Sequence, residues 1–207
     1  HGRIRRQRQM CIRDSDYMIT LNAAYQKDLL DKESEYLALT QLLLLNNNPY
    51  WAAKVLEAGR IKKVPVIDEK TKEEKILPVV KDNEKNLKLL ADAWRMAQEI
   101  ELAIPIMEKA ARLAKDGQTF IILGSLYLSE DKLEEAVDAI EQGLKKGKVK
   151  NPSQARLTLG QAHFELQNFE QAKKSSGLPH EMTIRRSKRQ QIAGSNTQKT
   201  KKFALRI

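Results

Sequence analysis

The amino-acid sequence predicts an all-α fold, a solenoid of stacked antiparallel helix pairs with about three full repeats and partial ones beside them. Three observations lead there. An apolar residue, a small one, a large apolar or aromatic one, an Ala, a second large apolar residue and a second small one recur in that order three times in full and a fourth time as far as the Ala, with His in the large place. The recurring Ala stands at 52, 103, 136 and 172, so two of the three steps lie close to a unit of about 34 residues and the first carries about 17 more. Helix-start signals keep the same register. Asn48 precedes Pro49 and Asn151 precedes Pro152, each a capping residue ahead of a proline at the first helical position, while Asn83 and Asp116 stand at two further starts.

In chain order, Tyr17, Leu21 and Ala24 fit the second helix of a first pair, whose partner would occupy about residues 1–13, where no apolar stripe exists. The next copy holds Leu39, Thr40, Leu43, Ala52, Leu56 and Gly59. After it, residues 62–82 form an insertion in which two β-branched runs flank a charged stretch, so a short hairpin or an extended loop is expected. Pro65 and Pro78 argue against a well-paired central strand there. The third copy holds Leu90, Ala91, Trp94, Ala103, Met107 and Ala110, and the clearest holds Leu123, Gly124, Tyr127, Ala136, Ile140 and Gly143. The last holds Leu159, Gly160, His163 and Ala172, after which Lys173, Lys174, Ser175 and Ser176 break the pattern before position 176 receives its large apolar residue. Offsets of 12, 16 and 19 residues from Gly124 resemble the tetratricopeptide repeat (TPR). Two helices of about three turns cannot bury both faces alone, so each pair needs a neighbour, and Gly or Ala sits where helices touch. An ordinary bundle would not repeat three offsets together.

Charge divides the chain at the same places. Residues 16–175 hold 24 Lys and Arg against 25 Asp and Glu, so the formal net charge of +10 belongs to the ends. The expected organisation is a non-native or disordered basic segment at 1–15, a TPR solenoid at 16–175, and a basic tail at 176–207 that is either disordered or artefactual. Residues 6–15 resemble translated sequencing-adapter read-through. With a neutral body and tails lacking interleaved aromatics, nucleic acid is not the expected partner. No run of eighteen apolar residues provides a transmembrane segment. The sole cysteine, Cys11, lies outside the repeats, which excludes disulfide and thiol chemistry within them.

Chemistry-bearing motifs are sparse. No Gly-rich phosphate loop, paired Cys, metalloprotease motif or supported Ser, His and Asp set is present, so no catalytic residue, metal site or cofactor is expected and the chain reads as a non-enzyme. His163 occupies the place of Trp94 and Tyr127 in neighbouring copies and reads as a packing residue. The first helices of the pairs should line a concave groove for a protein or peptide. Its expected surface includes Lys88, Asp92 and Arg95, then Ser125 and Leu128, then Gln161 and Phe164, basic at one end and apolar at the other. Chaperone-binding TPR domains clamp a carboxylate with Lys and Asn at such sites; here Asp92 stands where that clamp would want Asn.

A closer resemblance covers residues 16–175. The stretches beginning at Asp31 (Asp-Lys-Glu-Ser-Glu-Tyr-Leu-Ala-Leu-Thr-Gln-Leu), Pro49 (Pro-Tyr-Trp-Ala-Ala-Lys-Val-Leu-Glu), Asn86 (Asn-Leu-Lys-Leu-Leu-Ala-Asp-Ala-Trp-Arg-Met-Ala-Gln-Glu) and Glu108 (Glu-Lys-Ala-Ala-Arg-Leu) resemble proteobacterial TPR proteins encoded beside TonB/ExbB/ExbD systems. The resemblance implies a periplasmic, non-catalytic accessory protein of TonB-dependent outer-membrane transport, with components of that system as partners. The alternative is a cytoplasmic TPR adaptor or regulatory domain of an unrelated complex.

Overall fold

The computed structural model describes residues 16–67 and 74–176; the expectations for the segment 1–15 and for the tail from 177 onward fall outside the described residues. Backbone contacts divide the chain into two compact units, one ending at Ala114 and one beginning at Lys115.

The first unit contains helix α1 (residues 16–26), then α2 (Glu33–Leu45), α3 (Pro49–Ile61), strands β1 (Lys63–Ile67) and β2 (Glu74–Pro78), α4 (Glu84–Met96) and α5 (Ile100–Leu113). Helix α2 packs on α3, α3 on α4 and α4 on α5. The apolar stripes meet in a core of Tyr36, Leu39, Leu56, Leu87, Leu90, Trp94 and Met107, all essentially out of water. Tyr25 of α1 sets its ring edge-on to Tyr36 and Trp51, each at 6.2 Å, which seats α1 on the first pair.

The second unit contains α6 (Gln118–Ser129), α7 (Leu133–Lys146), α8 (Pro152–Glu165) and α9 (Phe169–Ser176). Here α6 packs on α7, α7 on α8 and α8 on α9. Its core gathers Val137, Ile140, Ala155, Leu159 and Ala162. Gly117 and Gly143 let backbones close up: Gly117 N–H donates to Gly147 C=O at 2.8 Å, and a Cβ on Gly117 would lie 1.8 Å from the Gly143 carbonyl oxygen.

A device repeats inside every pair. The turn between its two helices carries one left-handed residue, Asn47, Gln98, Asp131 or Gln167, with φ between 55° and 65°. Each stands five residues before the recurring Ala. The following N–H groups, of Asn48, Glu99, Lys132 and Asn168, bond back to the carbonyls of Leu43, Trp94, Tyr127 and His163 at 2.8–3.0 Å, closing the first helix of each pair.

The caps divide into two kinds. Asn83 accepts the Asn86 N–H at 2.9 Å, and Asp116 accepts the Gln118 N–H at 3.0 Å from one position ahead of the helix boundary. Asn48 and Asn151 occupy their expected boundary positions but make no side-chain cap bond. Their ψ angles are 64° and 78°, against 165° at Asn83, so the side chain is not carried over the first turn.

The insertion is a hairpin. Strands β1 and β2 pair antiparallel from Lys63 opposite Pro78 to Ile67 opposite Glu74. Two strands have no central member, so Pro65 and Pro78 are tolerated. Beyond β2 the chain is anchored: Val79 N–H reaches Lys62 C=O and Val80 N–H reaches Gly59 C=O, both at 2.9 Å, and both valines are buried. Bidentate Arg60 holds Asp82 at 2.6 and 2.7 Å. At the end of α3, Lys62 gathers the carboxylates of Asp28 and Asp31 and the carbonyls of Asp28 and Leu30, all at 2.9–3.0 Å. Hydrogen bonds to Asp31 and then Asp28 outweigh burial and raise the ammonium above the ordinary lysine range.

Candidate peptide-binding surface

In the first unit, the buried face of α4 consists of Asn86, Leu87, Leu90, Ala91, Ala93 and Trp94. Spacings of four and three residues therefore leave Lys88, Asp92 and Arg95 on one stripe away from that face. Lys88 and Asp92 are half-buried and Arg95 is exposed. Arg95 Nε lies 3.3 Å from Asp92 Oδ1, so these two charges largely answer each other, and Lys85 and Lys88 leave the stripe basic. The stripe is fixed at its start by buried Asn86, whose amide donates to Glu33 Oε1 on α2 at 2.6 Å and to Lys81 C=O at 2.9 Å.

The same register applied to α2 puts Ser34, Leu37, Gln41 and Leu44 where α4 has Lys85, Lys88, Asp92 and Arg95, and all four are exposed or half-buried. They were not among the residues expected to line the groove. The signal that finds them is the 51-residue step from Leu39 to Leu90.

In the second unit, Ser125 is exposed, but its hydroxyl donates to Ile121 C=O at 3.1 Å. Half-buried Leu128 packs against the α7–α8 core. Gln161 donates to Glu165 at 3.0 Å, and the Phe164 ring stands edge-on to Phe169 at 5.4 Å. These four positions thus form a softer and more apolar surface than the α4 stripe, partly engaged with their own helices.

A contact that links successive pairs lies behind these surfaces. Trp94 Nε1–H donates to Glu57 Oε1 on the preceding helix at 3.2 Å. His163, 3% exposed, directs Nε2 toward Glu141 Oε1 on the preceding helix at 3.8 Å, while its Nδ1 is buried without a partner among the described residues. Glu57 and Glu141 each stand five residues after the recurring Ala, so the two contacts are one device in two copies. His163 therefore packs as its register demands. Among the described residues no three His, Cys, Asp or Glu side chains converge as a metal site, and no helix is long and apolar enough to cross a membrane.

The tetratricopeptide-repeat family model matches residues 118–145, the α6–α7 pair. The α6–α7 pair matches the repeat by sequence, and the chain as a whole has the TPR fold. Among solved structures, MamA superimposes with a TM-score of 0.60 at 17% identity, covering 79% of this chain and 86% of that one. YrrB, described as a TPR protein with an unusual peptide-binding site, gives 0.60 at 14% identity over 81% of this chain and 76% of that one. At such identities the likeness concerns the TPR fold alone. A curated relative, the Arabidopsis thaliana protein CTR9 homolog, is 36% identical over 103 residues, or 48% of this chain. The matched stretch spans only 9% of that much longer relative.

Proposed function

We propose that this chain is a non-catalytic protein-interaction scaffold and an accessory component of TonB-dependent outer-membrane transport, working in the periplasm. The observation that carries the scaffold reading is the charged stripe of Lys88, Asp92 and Arg95, held on α4 while the opposite face of that helix is consumed by packing. Repeat pairs use such first-helix stripes to receive an extended or helical peptide. The four stretches starting at Asp31, Pro49, Asn86 and Glu108 support the transport assignment by resemblance. The partner would be a TonB-system component whose docked segment carries acidic and apolar residues.

Titrating the full chain with the purified soluble parts of TonB and ExbD tests this reading. The expected result is saturable binding weakened roughly tenfold when Lys88 and Arg95 are both replaced by Glu. A folded chain that binds neither component would reject the transport role. A second reading, a cytoplasmic TPR adaptor or regulatory segment of an unrelated complex, is favoured by the 36% identity to one stretch of a far longer protein. Fractionating cells that express the gene in its genomic context separates the two, because the adaptor reading requires the protein in the cytoplasmic fraction.

A further inference from the structure

In the second unit five lysines collect along one edge without carboxylate partners. The backbone bond from Gly117 N–H to Gly147 C=O and the 2.9 Å bond from Lys150 N–H to Gln118 Oε1 bind the loop before α6 to the loop between α7 and α8. Lys115, Lys145, Lys146, Lys148 and Lys150 all belong to this edge and are all exposed. The sequence contains no Asp or Glu between Gln142 and Phe164. The one acid in the two loops, Asp116, is turned onto the Gln118 N–H. Several other described cations do find acids, as in Arg60 with Asp82, Lys62 with Asp28 and Asp31, and Arg95 with Asp92. None of the five edge lysines makes an ion pair among the described residues. Helices α6 and α8 begin at this edge and α7 ends at it, so of the three helix ends two add to the positive field and one opposes it.

We propose that this edge is a second docking surface, for an acidic, Asp- and Glu-rich segment of a partner protein. The inference rests on the protein-interaction reading of the fold and adds to it a site and a partner class away from the α4 stripe. Charge complementarity names the occupant, and side-chain chemistry narrows it. Exposed apolar or aromatic anchors strengthen a membrane-binding edge, and the one large apolar residue between Lys146 and Lys150, Val149, instead packs on the α7–α8 core. A surface for single-stranded nucleic acid uses free stacking rings, and the nearby Phe120 ring is covered by Lys146 Nζ at 5.1 Å. Lysines on flexible stems suit carboxylates scattered along an extended chain.

Fluorescence anisotropy of a labelled peptide of repeated Asp-Glu-Ser triplets, added to the full chain, tests the proposal. Binding is expected at about 0.02 M ionic strength and should fade by about 0.5 M. Replacing Lys145, Lys146, Lys148 and Lys150 by Gln should weaken it roughly tenfold, while Arg at the same four positions should restore it. Replacing Arg185, Arg186, Lys188 and Arg189 by Gln in the tail should leave it in place. The proposal is overturned if the tail variant loses the peptide and the edge variant keeps it, or if phosphatidylserine vesicles or poly-uridine RNA bind the edge more tightly than the peptide does. It is equally overturned if sedimentation shows the edge variant abolishing self-association while the peptide binds neither protein. The probe is not a TonB-system component, so failure here and failure of the transport titration are separate results.

Discussion

At the residue scale, the side chains whose neighbours are already known make the sharpest tests. Thr119 is fully buried and its hydroxyl has no partner among the described residues. A buried hydroxyl left unpaired costs the desolvation of that group, so Thr119→Val should leave stability unchanged or raise it by up to about 1 kcal/mol. Chemical denaturation measures this, and a loss beyond about 1 kcal/mol would mean the hydroxyl has a partner. The burial of His163 was legible because the repeat register equates it with Trp94 and Tyr127. Its relation to Glu141 was not, because that contact joins one copy to the copy before it and has no fixed offset within a single copy. The α4 stripe was legible from helical spacing alone. The engagement of Leu128 with the α7–α8 core was not, since a half-buried leucine and a groove leucine occupy the same register position.

At the element scale, the repeated turns carry a cost that sequence alone conceals. Asn and Asp tolerate the left-handed region, so Asn47 and Asp131 suit their places; Gln98 and Gln167 do not. Replacing either Gln by Gly should raise the unfolding free energy by about 1 kcal/mol, read as a shift in denaturant midpoint at constant slope. A fall in midpoint would mean the Gln side chain contributes more than its backbone costs. The boundary asparagines illustrate a different limit. Asn48 and Asn151 marked helix starts correctly, yet the cap bond is not made; Glu99 and Lys132, with no proline after them, hold nearly the same ψ of 67° and 75°, so the proline is not what withholds it. The hairpin, by contrast, was legible from two β-branched runs around a charged stretch, while its anchoring by Val79, Val80 and Asp82 was not. Asp82 supplies a pH test. Its hydrogen bond to Arg60 holds its carboxyl below the usual carboxylate range, so the stability it contributes is present above the unfolded value near about 3.9 and is lost as pH falls through the lower folded value. With the Asp82 side chain 52% exposed, Asp82→Asn should cost no more than about 1 kcal/mol at neutral pH. The difference from the parent should vanish at strongly acidic pH, and a difference that persisted there would assign the effect to something other than the ion pair.

For the whole molecule, the decisive property is that each unit has its own buried core and that one of them alone carries the tryptophans. Both tryptophans, Trp51 and Trp94, lie in the first unit, whereas helices of both units contribute to far-ultraviolet circular dichroism. Repeat arrays draw their stability from each pair and its nearest neighbours, so a defect inside one unit acts there first. Gly124 offers such a defect. A Cβ at that position would lie 2.4 Å from Ile140 Cγ1 and 3.2 Å from Ala136 C=O, in the middle of the α6–α7 contact. Helix propensity alone favours Ala over Gly by about 1 kcal/mol, while overpacking a close helix contact costs about 1–3 kcal/mol. The clash prevails because the opposing atoms are a β-branched side chain's inner carbon and a backbone oxygen, neither of which can swing aside. Gly124→Ala should therefore lower the denaturant midpoint seen by circular dichroism more than the midpoint seen by tryptophan fluorescence. Midpoints that fall together would mean that the chain unfolds as one cooperative body, and an unchanged dichroism midpoint would remove the packing role assigned to the small residue that defines the repeat.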